Sequence, residues 1–171
     1  MRDVLPDLLA WWRAGETVGM GTVVGTWRSA PRQPGAAMLV GPDESAVGSV
    51  SGGCVESAVY AACAGGGRGR PPVLQRYGVS DNDAFAVGLT CGGILDVFVE
   101  KVSQQTFPEL ADIAADIQAG RPVAVATVVE HPDLTRLGMR MIVRPAEDSP
   151  SSARSGARGR MLPSRTTSVA C

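Results

Sequence analysis

Two glycine-rich turns, each holding one cysteine, set the frame for this chain. The first reads Gly48-Ser49-Val50-Ser51-Gly52-Gly53-Cys54-Val55-Glu56; it follows an apolar stretch and leads into a segment of helical composition. The second reads Gly88-Leu89-Thr90-Cys91-Gly92-Gly93-Ile94-Leu95-Asp96 and leads into an apolar strand. Glycine allows positive φ and a close backbone approach to a ligand, so both segments are turns that can face a guest. The repetition of cysteine beside Gly-Gly points to a paired site in which both turns converge.

The segments around these turns have readable periods. Leu5, Leu8, Leu9 and Trp12 recur at helical spacing, which predicts a helix over Leu5 to Arg13 ended by Gly15. Thr17 to Trp27 is rich in glycine and β-branched residues and reads as a strand. A proline-punctuated loop, Arg28 to Gly35, follows it. Ala37 to Val40 and Ala46 to Val50 form a hairpin around Gly41-Pro42-Asp43-Glu44. Val55 to Ala64 is helical, with Gly53 as its N-cap and Glu56 in a capping-box position. Val73 to Tyr77 and Ile94 to Val102 are strands, and 81–87 fits either a loop or a short helix. Glu109 to Ala119 is a helix between Pro108 and Gly120. Val123 to Val129 reads as a strand covered on both faces, and Met139 to Val143 as a last strand. The pattern predicts an α/β or α+β fold: a mixed sheet flanked by helices, in a single domain over residues 1–144. Residues 145–171 are rich in Ser, Arg, Gly and Pro without a period, and are expected to be a disordered tail.

The formal net charge of the 171 residues is −1, which gives no electrostatic footprint for nucleic acid. No run of about 18 apolar residues that could span a bilayer is present, and the N-terminus does not read as a signal peptide. The expected location is cytoplasmic, where cysteines stay reduced. The four cysteines, Cys54, Cys63, Cys91 and Cys171, form no C-x-x-C pair and His131 is the single histidine, so a structural zinc site is not expected.

Cys54 would sit where a helix begins. Backbone N–H groups there favour anions and lower a thiol's pKa. The turn fits either a phosphate cradle with a sulfur beside it or a tight turn around an inert buried cysteine. Ser51 and Arg32 are candidate phosphate contacts, and Gly52, Gly53, Gly92 and Gly93 offer close backbone approach. Cys91 alone reads as ordinary turn chemistry; the repeat raises it to a candidate. Cys63 lies mid-helix among alanines and reads as packing. Glu56 reads as a helix cap rather than a general base. Gly19-Met20-Gly21-Thr22-Val23-Val24-Gly25 does not meet the dinucleotide-binding fingerprint, because its spacing is off and it continues as strand.

The two cysteine turns, together with Gly25-Thr26-Trp27-Arg28-Ser29-Ala30-Pro31-Arg32-Gln33-Pro34-Gly35-Ala36-Ala37-Met38 before them, resemble the XdhC/CoxI family of xanthine dehydrogenase accessory proteins. The resemblance extends over about residues 5–143. It implies a non-catalytic maturation factor, a chaperone that binds molybdenum cofactor (molybdopterin) transiently. Such a factor assists sulfuration of the cofactor and its insertion into molybdenum hydroxylases of the xanthine dehydrogenase or carbon monoxide dehydrogenase type. The implied partners are an apo molybdenum hydroxylase and a cysteine desulfurase, with a homodimer also in keeping. Cys54 and Cys91 would then be the sulfur-bearing contacts, and possible ligands of the molybdenum. Longer members carry a C-terminal Rossmann-like domain, which nothing after Val143 resembles. The alternative function is a thiol-dependent enzyme or redox protein with Cys54 as nucleophile.

Overall fold

Strand β1 (Val18–Trp27) organises the molecule, because its two faces carry different side chains. Val18 and Met20 lie in one buried cluster, and Val23 lies in the other, with Gly19 and Gly21 lying against α2 on that second side. The computed structural model describes residues 2–65, 71–78, 93–145 and the backbone of 169–170. Around β1 the sheet runs in the order β3-β2-β1-β5-β4, with β2 (Ala37–Val40), β3 (Ala46–Gly48), β4 (Val73–Tyr77) and β5 (Ile94–Val102). Every neighbouring pair in it is antiparallel. The sequence reading of a mixed sheet therefore resolves into an antiparallel one with helices on both faces. The β1/β5 register slips between Val23 and Gly25, a bulge that re-aims the end of β1.

One face carries α1 (Leu5–Arg13) and α3 (Leu110–Gln118) over Met20, Leu39 and Val102. Leu5, Leu8 and Leu9 are buried, as the helical spacing of the apolar residues requires. Trp12 Nε1 donates to the Phe107 carbonyl at 3.0 Å and ties α1 to the turn before α3. The other face carries α2 (Glu56–Ala64), whose Val59 and Cys63 lie one helical turn apart on Val23, Val97 and Val99. Beyond α3 lies a second sheet, ordered β7-β6-β8, of β6 (Ala124–Thr127), β7 (Arg140–Val143) and β8 (Val169–Ala170). β6 is half-buried along its whole length, not covered on both faces. It is the centre of a small separate sheet rather than a strand inside the large one.

Two glycines set how closely α2 approaches β1. A Cβ at Gly19 would stand 2.5 Å from the Cys63 carbonyl oxygen, and one at Gly21 would stand 2.7 Å from Val59 Cγ1. The Cys63 contact is with backbone, which cannot rotate aside. Gly19→Ala is therefore expected to destabilise the protein by about 2 kcal/mol, the usual range for overpacking. Urea unfolding measures this; a loss under about 0.5 kcal/mol would mean that α2 can lift off the strand freely. The rejected nucleotide motif thus has a packing role. The expected tail, 145–171, and the 81–87 segment lie almost wholly outside the described residues.

Candidate functional site

The cysteine turn after β3 does not begin with a helix cap. Gly48, at φ 86, turns the chain where a Cβ would meet the Ala37 carbonyl at 2.4 Å. Gly52 and Gly53 follow at φ 79 and 120, with open space around them, so their backbone conformation and not crowding calls for glycine. Helix α2 starts at Glu56; Val55 holds the N-cap position and no side chain caps it there. The expected cap at Gly53 and the capping box are replaced by a different device, because Glu56 folds back into the turn.

The Glu56 carboxylate gathers the polar hydrogens of that turn. Its Oε1 accepts from Ser49 Oγ at 2.7 Å and from the N–H groups of Ser51 at 2.9 Å, Gly52 at 3.0 Å and Val50 at 3.3 Å. Its Oε2 accepts from Ser51 Oγ at 2.5 Å and from the N–H groups of Gly53 at 2.8 Å and Val55 at 3.2 Å. Ser51 Oγ also accepts from the Val55 N–H at 3.0 Å. Burial pushes the Glu56 carboxyl up, but the Ser51 and Ser49 hydroxyls and the Ser51 N–H outweigh it and hold it down at about 2. The site is an anion-holding nest of the kind successive backbone N–H groups build, and its anion is the chain's own.

Helix α2 is secured at both ends by charge of the favourable sign. Glu56 sits at the N-terminal end, and Lys101 Nζ donates to the Cys63 carbonyl at 2.5 Å at the C-terminal end. Cys63 is buried against β1, and burial pushes its thiol up to about 11 despite the Lys101 charge. Its expected role in packing stands.

Of the candidate contacts, Ser51 is buried, with its hydroxyl committed to Glu56 and Val55. Gly52 and Gly53 are exposed, and Cys54 is half-buried at the border of the α2 core cluster. Ala30, in the loop after β1, borders the same cluster. Arg32 is exposed on that loop. Gly93 lies against it too, since a Cβ there would stand 2.9 Å from the Ser29 carbonyl oxygen. Cys91 and Gly92 lie outside the described residues. Among the described residues no three His, Cys, Asp or Glu side chains stand together as a metal site, and no helix is long and apolar enough to cross a membrane.

Two features of the site region were not read from the sequence. Asp96, at the end of the second cysteine motif, is buried and held by Arg76 through two bonds, Nε to Oδ1 at 2.6 Å and Nη2 to Oδ2 at 2.7 Å. Arg76 in turn lies 4.7 Å over the exposed Trp27 ring. The signal for Glu56 was present: a carboxylate a few residues beyond a run of serines and glycines that offers many donors and no acceptor of its own charge.

A two-faced antiparallel sheet with an exposed glycine turn and a half-buried cysteine defines a small α/β module built to present a loop. Residues 11–78 match the sequence model of the XdhC and CoxI family. A Bacillus subtilis (strain 168) protein described as a probable xanthine dehydrogenase subunit is 27% identical over 117 residues, 67% of this chain and 36% of that relative. The uncharacterized protein YqeB of Escherichia coli (strain K12) is 39% identical over 80 residues, 47% of this chain and 15% of its own. A crystal structure of a xanthine dehydrogenase from Bacillus halodurans superimposes with a TM-score of 0.61 at 24% identity, over 74% of this chain and 38% of that one. That likeness is one of fold. The chain thus spans about a third or less of the length of these curated relatives.

Proposed function

We propose that the chain is an accessory module in the maturation of molybdenum hydroxylases of the xanthine dehydrogenase and carbon monoxide dehydrogenase kind, and that it binds molybdenum cofactor transiently. The match to the XdhC and CoxI family model and the relative described as a probable xanthine dehydrogenase subunit support the general role. The observation that carries the binding reading is the turn at 48–56, where Glu56 holds an exposed Gly52-Gly53 rim in place beside Cys54.

The residues fit part of this cofactor. A thiol is a soft group, in keeping with a metal bound by dithiolene sulfurs, which is the chemistry the cofactor supplies when bound. The turn's amides do not fit its phosphate as they stand, because Glu56 already holds them. Phosphate contact then falls to Arg32 on the exposed loop after β1 and sulfur contact to Cys54; Cys91 and Gly92, which lie outside the described residues, remain part of the proposed contact set. An apo molybdenum hydroxylase would receive the cofactor and a cysteine desulfurase would supply sulfur.

Gel filtration of the chain with cofactor released from a molybdenum hydroxylase tests this. Co-elution is expected for the parent and for Cys63→Ala. Cys54→Ala is expected to bind at least about tenfold more weakly, a difference of about 1.4 kcal/mol. Equal retention by Cys54→Ala and the parent would remove the thiol from the site, and no co-elution of the parent would remove the cofactor.

A further inference from the structure

Between the five-stranded sheet and the β6/β7 pair lies a cavity of about 100 Å³. Phe98 and Glu100 of β5, Phe107, Ile113 of α3, Val125 of β6 and Arg140 of β7 are among its lining residues. Phe98 and Glu100 alternate along β5 with Val97 and Val99, which pack with Val59 of α2, so the cavity lies on the face of the sheet away from that helix. Most of its wall is aliphatic or aromatic. Interiors are otherwise filled at close to crystal density, and an apolar void forfeits the dispersion contacts its lining would make.

One charged group in this wall is only half satisfied. Arg140 Nη2 donates to Glu100 Oε2 at 2.5 Å, its Nη1 donates to the Thr106 carbonyl at 2.9 Å, and its guanidinium is stacked 3.9 Å over the Phe107 ring. The other carboxylate oxygen, Glu100 Oε1, takes no hydrogen bond from a described residue. Nor is it sealed off: among the described residues, Thr22 Oγ1 alone is a side-chain polar atom with neither a partner nor accessible surface. The Glu100 side chain is 6% exposed and lines the cavity, so the surface left to Oε1 opens onto the void. Thr22 Oγ1 is out of reach of any guest and plays no part. An ionised carboxylate offers about four lone-pair sites, and an unmet one in a dry wall is costly. An apolar pocket with a few convergent polar groups is the ordinary form of a small-molecule site.

The geometry points to a binding site for a neutral five-membered ring with one N–H group, of the pyrrole or azole class, its ring among Phe98, Ile113 and Val125 and its N–H donating to Glu100 Oε1. Size sets the ring, since apolar cavities of roughly 150 Å³ take up benzene and this one is smaller. Charge sets the donor. An N–H bond to a carboxylate is stronger than one between neutral groups. A cationic guest would add an unpaired charge to a pair that is already neutral, and an anionic guest would face the carboxylate. Water would satisfy Oε1 but leave the apolar wall uncovered. The site is separate from the cysteine turn, and the proposal does not depend on the cofactor reading.

Pyrrole and furan are the probes, because they share size and shape and only pyrrole carries a donor. Each is titrated into the full chain and followed by thermal unfolding and by the NMR signal of the methyl of Met20, a residue that also lines the cavity. Pyrrole is expected to bind with a Kd of about 1 mM or tighter, and furan at least about tenfold more weakly. The carboxyl carbon signal of Glu100 in the parent is expected to move with pyrrole and to stay in place with furan. Glu100→Gln keeps an oxygen for Arg140 and turns an amide donor toward the cavity, so the preference for pyrrole is expected to vanish in it. Should that variant fail to fold, the measurements on the parent decide the matter. No binding of either probe at about 10 mM, furan equal to pyrrole in the parent, a Glu100 signal unmoved by bound pyrrole, or a preference that survives in Glu100→Gln would overturn the proposal.

Discussion

Glu56→Ala is expected to lower stability by about 2 kcal/mol, counting roughly 1 kcal/mol for each backbone donor left unpaired on the buried residues Val50 and Ser51, while the Val55 N–H keeps Ser51 Oγ. The Gly52 and Gly53 N–H groups are exposed and regain water, so they are left out of that sum. For a chain of this size the loss corresponds to a fall of roughly 4–8 °C in Tm. Glu56→Gln keeps the shape but turns one donor group toward other donors, and is expected to lose more than half as much. Acid gives an independent measurement. The folded carboxyl titrates at about 2, below its usual 4.5. The unfolded chain therefore binds the proton first, and the contribution is full above about pH 4.5 and is lost as pH falls toward 2. The parent's stability should fall through that window more steeply than that of Glu56→Ala. A variant within about 0.5 kcal/mol of the parent, as for an ordinary surface change, would show that the turn holds its shape without the carboxylate.

Arg140→Met is expected to cost about 3–5 kcal/mol at pH 8, because it strands the buried Glu100 carboxylate while keeping an apolar stem of similar length. Both side chains of the pair are under a tenth exposed. Arg140 also donates to the Thr106 carbonyl at 2.9 Å, so it ties β7 to the turn before α3. Burial pushes the Glu100 carboxyl up even with Arg140 beside it. Without the guanidinium the folded-state value rises further, and the folded protein takes up a proton that the unfolded chain does not hold. Stability then increases as pH is lowered from 8 to 5, opposite in sign to the Glu56 effect and at higher pH. Glu100→Gln combined with Arg140→Met removes the stranded charge and is expected to recover most of the loss. Chemical unfolding at pH 8 and pH 5 decides the matter; a loss that is the same at both would mean that Glu100 finds water or another cation when Arg140 is gone.

These two carboxylates show where the sequence stops being readable. Leu5–Arg13, Val73–Tyr77 and Ile94–Val102 have the bounds their residue patterns predict. Their apolar spacing is a local property, and burial on the sheet rewards the period already present. β6 departs from its reading because an apolar run looks the same whether one sheet or two cover it. Helix α2 begins later than its composition indicates, because Glu56 holds the turn's N–H groups and the chain before it stays out of the helix. Within the candidate site, the glycine turn and its cysteine were legible as a motif. The carboxylate at its centre read as a helix cap, although the donor-rich serines and glycines before it were the local signal for an anion that fills a nest. The Arg76–Asp96 and Arg140–Glu100 pairs join residues 20 and 40 positions apart, beyond any local pattern.

The order of short strands and helices and the sharp turns at Gly48 to Gly53 were fixed by the residues themselves, because local backbone preference and apolar period survive in a linear string. The tertiary structure decided which face of β1 receives α2, which cations neutralise Asp96 and Glu100, and that the first cysteine turn closes on Glu56. Those outcomes depend on which distant groups meet once water is excluded, and a buried charge or N–H must then take a partner from whatever the fold brings within about 3 Å.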